Sequence, residues 1–297
     1  MAVAERNQRV HFVSEVTSER RTDGNSGENV MIVHYYNEWD KGAAAWLREL
    51  INNKLIPYGY VDERSITEVT PSDLEGFTQC HFFAGIGGWP LALQLAGIPA
   101  STRLWTGSPP CQPFSVAGKS LGFDDERHLA PAFLRLIREC KPELLFGEQV
   151  AAAIGKHWLD FVLLNLEEKG YACGSAVLPA CSVGAPHKRD RLFFGASLLA
   201  YPESKRLPHR GCGEAFSEFG EASGSGITKT ITCNYKAQWE DCDRILCADK
   251  KFRPVRPGSF PLAHGVPARV GRLRGYGNAI VPQVAAEFVK AFMESIK

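Results

Sequence analysis

The sequence predicts an α/β fold with a mostly parallel sheet, and three observations carry that expectation. Short runs of β-favouring apolar residues alternate with stretches whose apolar residues recur at helical spacing. The length, 297 residues, allows one large domain or one domain plus a smaller lobe. The composition, 44% apolar and 23% charged, is that of an ordinary globular chain and excludes a disordered, collagen-like or coiled-coil protein.

Taken in order, residues 1–29 are polar and read as a loosely ordered tail. Val30 to Tyr36 is apolar and β-favouring, hence a strand. Lys41 to Asn52 follows as a helix, with Ala44, Leu47, Leu50 and Ile51 on one face. Residues 57–79, punctuated by Pro, Gly and Asp, read as a connection. A second strand ends at His81–Phe83 and runs into the glycine-rich stretch 84–88, after which a short helix passes through Leu91, Leu93 and Leu95. Residues 129–139 read as a helix, Leu144–Phe146 as a short buried strand, His157–Lys169 as a helix and Arg191–Ala196 as a strand. The texture then changes. Residues 198–265 are rich in Gly, Ser, Pro, Cys and charge without a sustained period, as in a separate lobe or a long irregular insertion. Regularity returns in an apolar stripe through Val281, Val284, Ala285, Phe288, Val289, Phe292 and Ile296.

Charge and targeting narrow the function classes. Lys and Arg number 34 against 33 Asp and Glu, a net charge of +1, so any surface for nucleic acid must be a local patch. No apolar run approaches the ~20 residues that span a bilayer. The start, Met1 to Arg9, lacks the apolar core of a signal peptide. Nine cysteines, an odd number spread along the chain, then read as reduced thiols, and a cytoplasmic setting is expected. His209, Cys212, Cys233, Cys242 and Cys247 show no close Cys-x-x-Cys pair, so no zinc site is expected.

Two segments carry chemistry. In Gly107–Ser115 (Gly-Ser-Pro-Pro-Cys-Gln-Pro-Phe-Ser), Cys111 stands among prolines and cannot lie in a regular helix or central strand. A stiff loop of this kind holds a nucleophile in one place, although a buried turn cysteine would look the same. Phe83–Trp89 (Phe-Ala-Gly-Ile-Gly-Gly-Trp) closes a strand and opens a helix. Its glycines permit close approach of a ligand to backbone, but it lacks the spacing of a dinucleotide fingerprint and would also serve as a plain strand-to-helix turn.

Together these segments resemble the DNA cytosine-5 methyltransferases, particularly the compact phage and prophage forms. The family's ordered motifs are matched by Phe83–Trp89 (cofactor loop), Pro109–Ser115 (nucleophile loop), Gly147–Val150 (acid motif), Gly184–Arg191 (arginine motif) and Gly275–Pro282 (C-terminal motif). Asp125–Leu129 matches a further Asp-x-Arg-x-Leu element. The resemblance covers about residues 30–196 and 266–297. It implies a Rossmann-like sheet that uses S-adenosylmethionine, with a catalytic domain over 30–197, a small irregular target-recognition lobe over 198–265, and a segment 266–297 returning to the catalytic domain. It implies that Cys111 attacks C6 of cytosine and so makes C5 nucleophilic. Glu148 would hold N3 and the exocyclic amine, and Arg189 and Arg191 the O2 and nearby phosphate. The base would be flipped out of duplex DNA, with Ser115–Arg127 closing over it. Phe83, Gly85, Gly87, Gly88 and Asn278 would line the cofactor.

Three departures stand out. Gln149 replaces the usual Asn of the acid motif, which supports the nucleophile loop in the family. His187 replaces the usual Gln of the arginine motif. Residues 90–108 are too few for two strands and a helix, so the family's acidic cofactor segments cannot follow the glycine loop, and the 89–109 segment supplies no strand to carry them. They are matched upstream instead. Glu38 and Trp39, at the end of the first strand, resemble the second motif, with the carboxylate on the ribose and the indole on the adenine. Val61–Val69 resembles the third, whose carboxylate takes the adenine amine. Asp62 is the choice there, although alignment on Ile66–Val69 places Ser65 at that position. The motif order is therefore permuted. The first strand should run parallel and adjacent to the one ending at Phe83, with Glu38 facing Gly85 and Cys111 opening onto the same cavity from the next strand along.

The 198–265 lobe interleaves basic residues such as Arg206, Arg210 and Lys229 with Tyr201, Phe216, Phe219, Tyr235 and Trp239, a mixture suited to phosphates and bases and equally to a solvated loop. The expected partner is double-stranded DNA, with no membrane and a monomeric enzyme, in a restriction–modification or phage setting. Two other classes remain: a cytosine-5 methyltransferase of RNA, and a DNA-binding relative without activity.

Overall fold

The structure is a computed structural model of the chain, and it describes residues 33–110, 129–199, 243–246, 250, 252–255 and 277–297. Its centre is a seven-stranded sheet made of β1 (His34–Asn37), β2 (Gly59–Asp62), β3 (Gln79–Phe82), β4 (Leu104–Gly107), β5 (Leu144–Val150), β6 (Tyr171–Leu178) and β7 (Arg191–Leu198). The spatial order is β2-β1-β3-β4-β5-β7-β6. β2, β1, β3, β4 and β5 are mutually parallel, and β7 runs antiparallel to both of its neighbours. The parallel part has the 2-1-3-4-5 order of a doubly wound sheet, whose switch point falls between β1 and β3.

The helices are α1 (Lys41–Asn52), α2 (Gly88–Leu95), α3 (Ala130–Cys140), α4 (Trp158–Glu167) and α5 (Pro282–Ser295). α1 has the bounds expected from its apolar stripe. It buries Ala44 and Leu47, and the Asp40 carboxylate caps it by accepting the Ala43 N–H at 2.9 Å. α3 and α4 pack on one face of the sheet, where Phe133, Leu136, Ile137, Trp158 and Val162 meet Tyr35, Phe82, Trp105 and Phe194. α2 and α5 share the other face, where Trp89, Leu93, Val284, Phe288 and Phe292 meet Leu104, Phe146 and Phe193. Alternate residues of each central strand thus enter opposite cores, as two covered faces require.

Several expectations shift. The first described strand spans His34–Asn37, and residues 30–32 lie outside the described set. The 57–79 connection contains β2, whose four residues sit between Pro57-Tyr58 and Glu63-Arg64-Ser65 and are too few to show a period. The 89–109 segment does supply a strand, β4, but it lies on the far side of β3 from β1. β6 gave no signal because small residues fill it and its outer edge pairs with nothing in this sheet. In the 198–265 stretch, Asp243–Leu246 (β8) and Phe252–Val255 (β9) form an antiparallel pair. Apart from residues 198, 199 and 250, the remainder of that lobe and residues 1–29 lie outside the described residues. Among the described residues no helix is long and apolar enough to cross a membrane.

One close approach fixes the C-terminal segment on the sheet. A Cβ built on Gly88 would come within 2.7 Å of Ile280 Cγ1. Gly88→Ala should therefore lower stability by about 1–3 kcal/mol, measured as an earlier urea midpoint. An unchanged midpoint would show that Ile280 yields freely.

Candidate active site

The C-terminal ends of β1, β2, β3 and β5 carry Glu38, Asp62, the glycine loop and Glu148, part of the set singled out in the sequence. β1 lies parallel and adjacent to β3, with Tyr36 opposite His81 and Asn37 opposite Phe82. Beyond the strand ends the pairing continues, because Ala84 N–H donates to the Asn37 carbonyl at 3.0 Å. That register sets Glu38 against the glycine loop. The Gly85 N–H donates to Glu38 Oε2 at 2.7 Å, and the Asp40 N–H donates to Oε1 at 2.8 Å. Burial pushes the Glu38 carboxyl up, opposed by these two N–H groups. Each carboxylate oxygen keeps a lone pair for a further donor. Beside it the Trp39 ring is 74% exposed, a free apolar face at the rim.

The loop itself needs unusual backbone. Phe83, half-buried, has φ 52, and Gly87 caps α2 with φ 83. A phenylalanine in this region is strained, and such strain concentrates where a loop is held for a ligand. Gly88 begins α2 and rests on Ile280, so the C-terminal segment borders the loop. Asn278 is exposed nearby in sequence, between Gly277 and Ala279, whose carbonyls both accept from Arg189 Nη2, at 2.7 and 2.8 Å.

Asp62 requires a correction. Its carboxylate is buried and accepts from the Tyr35 hydroxyl at 2.7 Å, the Arg64 N–H at 2.9 Å and Arg64 Nη2 at 2.6 Å. Burial alone would raise this carboxyl, but the Arg64 and Tyr35 donors outweigh it and hold it below the usual range. With its lone pairs taken, Asp62 anchors the β2 end and has none left for an adenine amine. Ser65, the other position that the motif allowed, is half-buried at the same strand end and caps a short 3-10 turn. The sequence offered only a faint sign of this in Arg64, two residues from the acid.

On the other side of β3, β4 delivers the chain to Ser108, Pro109 and Pro110, and Cys111 is the next residue, outside the described set. Ser115–Arg127 lies outside it as well. Two bonds tie the described approach. Trp89 Nε1–H donates to Ser108 Oγ at 2.9 Å, and Gln149 Nε2 donates to the Pro109 carbonyl at 3.3 Å. Gln149 is buried on β5, and its oxygen accepts the Val150 N–H at 2.9 Å, so the amide orientation is fixed. With Gln in place of Asn, this position thus still holds the described approach at Pro109.

Glu148 precedes Gln149 on β5 and is 8% exposed. Arg191, at the start of β7, reaches it with Nε 2.8 Å from Oε1. Burial nevertheless dominates and pushes the Glu148 carboxyl up to about 7, against the pull of Arg191 and Arg189. A buried carboxyl that is half protonated near neutrality can donate or accept at little cost. Arg191 thus lies against Glu148. Arg189 instead spends its guanidinium on the C-terminal segment, and His187 is exposed.

Comparison with known proteins covers part of this region. Residues 93–210 match the model of the family described as C-5 cytosine-specific DNA methylase, across the nucleophile, acid and arginine motifs. The type II methyltransferase M.HhaI of Haemophilus parahaemolyticus is 30% identical over 42% of this chain and 50% of its own. The type II methyltransferase M.NlaX of Neisseria lactamica is 26% identical over 68% of this chain and 80% of its own. Over these segments the chain is similar to C-5 cytosine DNA methylases. A third methylase relative, the type II methyltransferase M.AplI of Arthrospira platensis, is 36% identical over 34% of this chain and 30% of its own. The chain thus spans about a third to a half of the length of several of the methylases it matches.

Proposed function

We propose that this chain transfers a methyl group from S-adenosylmethionine to C5 of cytosine in duplex DNA, through a covalent bond between Cys111 and C6 of a flipped-out base. The observation that carries the reading is Glu148. It is a buried carboxyl pushed up to about 7, gripped by Arg191, one strand away from the strand that leads into Cys111. Addition of a thiolate at C6 drives electron density into the pyrimidine, and a protonated carboxyl at N3 neutralises it as it develops. The enamine-like C5 would then take the methyl carbon as the methyl–sulfur bond of S-adenosylmethionine breaks, with S-adenosylhomocysteine as the leaving group. Loss of the C5 proton and departure of the thiolate restore the aromatic ring and the free Cys111.

The residues at the switch point suit the cofactor. Glu38 presents free lone pairs opposite the glycine loop, as ribose hydroxyls require, and the exposed Trp39 ring offers a face for adenine. Phe83, Gly85, Gly87 and Gly88 supply the backbone wall, Ser65 the adenine side, and Asn278 the C-terminal rim. S-adenosylmethionine supplies an electrophilic methyl when bound. The lobe over 198–265 is assigned to reading the target.

The test is methyl transfer from labelled S-adenosylmethionine to duplex DNA and, in parallel, to total tRNA, with 5-methylcytosine scored by mass spectrometry. Label in tRNA alone would replace the DNA reading with the RNA one, and label in neither would overturn both. Glu38→Gln removes a charge-assisted contact, so S-adenosylmethionine should bind about tenfold or more weaker. Unchanged affinity by calorimetry would remove Glu38 from the cradle.

A further inference from the structure

The geometry points to Trp89 and Ser108 as a positioning pair that couples the cofactor loop to the nucleophile loop, an inference that rests on the reading above. Trp89 is the second residue of α2, directly after Gly87 and Gly88. Its indole is 2% exposed, stacked on Phe146 of β5 at 6.4 Å between centroids and edge-on to Phe193 of β7. The ring is thus held by two strands, and its one polar atom has to be satisfied inside the protein. The acceptor is the Ser108 hydroxyl, 2.9 Å away. Ser108 is the first residue beyond β4, and only Pro109 and Pro110 separate it from Cys111. Proline fixes φ near −65°, so these two residues make a stiff link. Gln149 holds the carbonyl of the first proline from the opposite side. Residues 108 and 109 are therefore pinned by two side chains, one of which is rooted beside the glycine loop.

The consequence is a linkage between two sites. A ligand that fixes Gly85–Gly88 also fixes the start of α2, the indole and the Ser108 hydroxyl. Cofactor occupancy should then bias the thiol of Cys111, and by reciprocity an occupied base site should tighten cofactor binding. The chemistry needs this order, because a thiolate that adds before a methyl donor is in place gains nothing.

Ser108→Ala deletes the acceptor without touching the aromatic core. Trp89→Phe deletes the donor and keeps a ring, and Ser108→Thr keeps the hydroxyl. The first readout is alkylation of Cys111 by iodoacetamide, followed by peptide mass spectrometry with and without S-adenosylhomocysteine. In the unmodified protein the ligand should change the Cys111 rate severalfold. In Ser108→Ala and Trp89→Phe that change should vanish, and Ser108→Thr should restore it. The second readout is single-turnover methylation, expected to fall about tenfold in either variant, the size of one lost hydrogen bond. The double variant should be no slower than either single one. KM for S-adenosylmethionine should stay within about threefold, so that kcat carries the loss. A ligand effect on Cys111 that survives Ser108→Ala overturns the coupling, as do additive losses in the double variant. Absence of S-adenosylhomocysteine binding in the unmodified protein overturns the cofactor reading, and the coupling with it. A protein that binds the ligand and shows the Cys111 coupling yet methylates nothing overturns only the proposed activity.

Discussion

Cys111→Ser should abolish methyl transfer, with a fall of at least about 10³-fold, because a serine hydroxyl is far less acidic and less nucleophilic than a thiol. S-adenosylmethionine should still bind within a few-fold of its normal affinity, since the glycine loop and Glu38 lie on the β1 and β3 side of the switch point. Duplexes containing 5-fluorocytosine separate the possibilities further. The fluorine cannot leave as a proton does, so the unmodified protein with S-adenosylmethionine should stall as a covalent adduct stable to detergent. The serine variant should give none. Turnover within tenfold of the unmodified protein would falsify the assignment of the nucleophile.

Glu148→Gln should slow methylation by about 10²-fold, the scale of a lost general acid or electrostatic partner. Its pH dependence is the sharper test. Burial raises the Glu148 carboxyl from the ordinary 4.5 to about 7. A raised acid favours the folded state while protonated, so its contribution is complete below about pH 4.5 and is lost as pH rises through about 7. Stability of the free protein should decline across that window, and Glu148→Gln should flatten the decline. Activity should follow a bell. The acid limb reports thiolate formation at Cys111, and the alkaline limb reports loss of the Glu148 proton. In the Gln variant the alkaline limb should disappear while the acid limb remains. A variant that keeps both limbs would place the proton donor elsewhere.

The sequence was most legible where a period or an ordered set of motifs was long enough to read. α1 announced itself through Ala44 and Leu47, and its bounds match. The permuted placement of Glu38 against Gly85 followed from the motif order, and the structure has that contact. Four-residue strands were less legible. β2 and β4 have no room for a pattern, and both lie beside Pro and Gly that read as turns. β6 is an edge of small residues and shows no alternation. At the site, side-chain competition could not be read. Nothing in the order of residues says that Asp62 is saturated by Arg64 and Tyr35, or that Arg189 turns to the carbonyls of Gly277 and Ala279. Those outcomes depend on which donors reach a carboxylate or carbonyl first, and that is decided in three dimensions.

The permuted strand order also has a consequence for synthesis. β1 and β2 pair with each other, β3 adds to β1, β4 to β3 and β5 to β4. Each of these strands after β1, as it leaves the ribosome, finds a neighbour already made. Each pairing joins a new strand to one made one or two strands earlier, which limits the entropy of closing the intervening chain. Among the described strands that follow β1, β6 is the one that has to wait, because its partner there is β7, which follows it in the chain. A nascent chain arrested once β5 has cleared the exit tunnel should therefore already protect β1 to β5 from a protease. β6 should gain the same protection once translation, at about 5–20 residues per second, delivers β7.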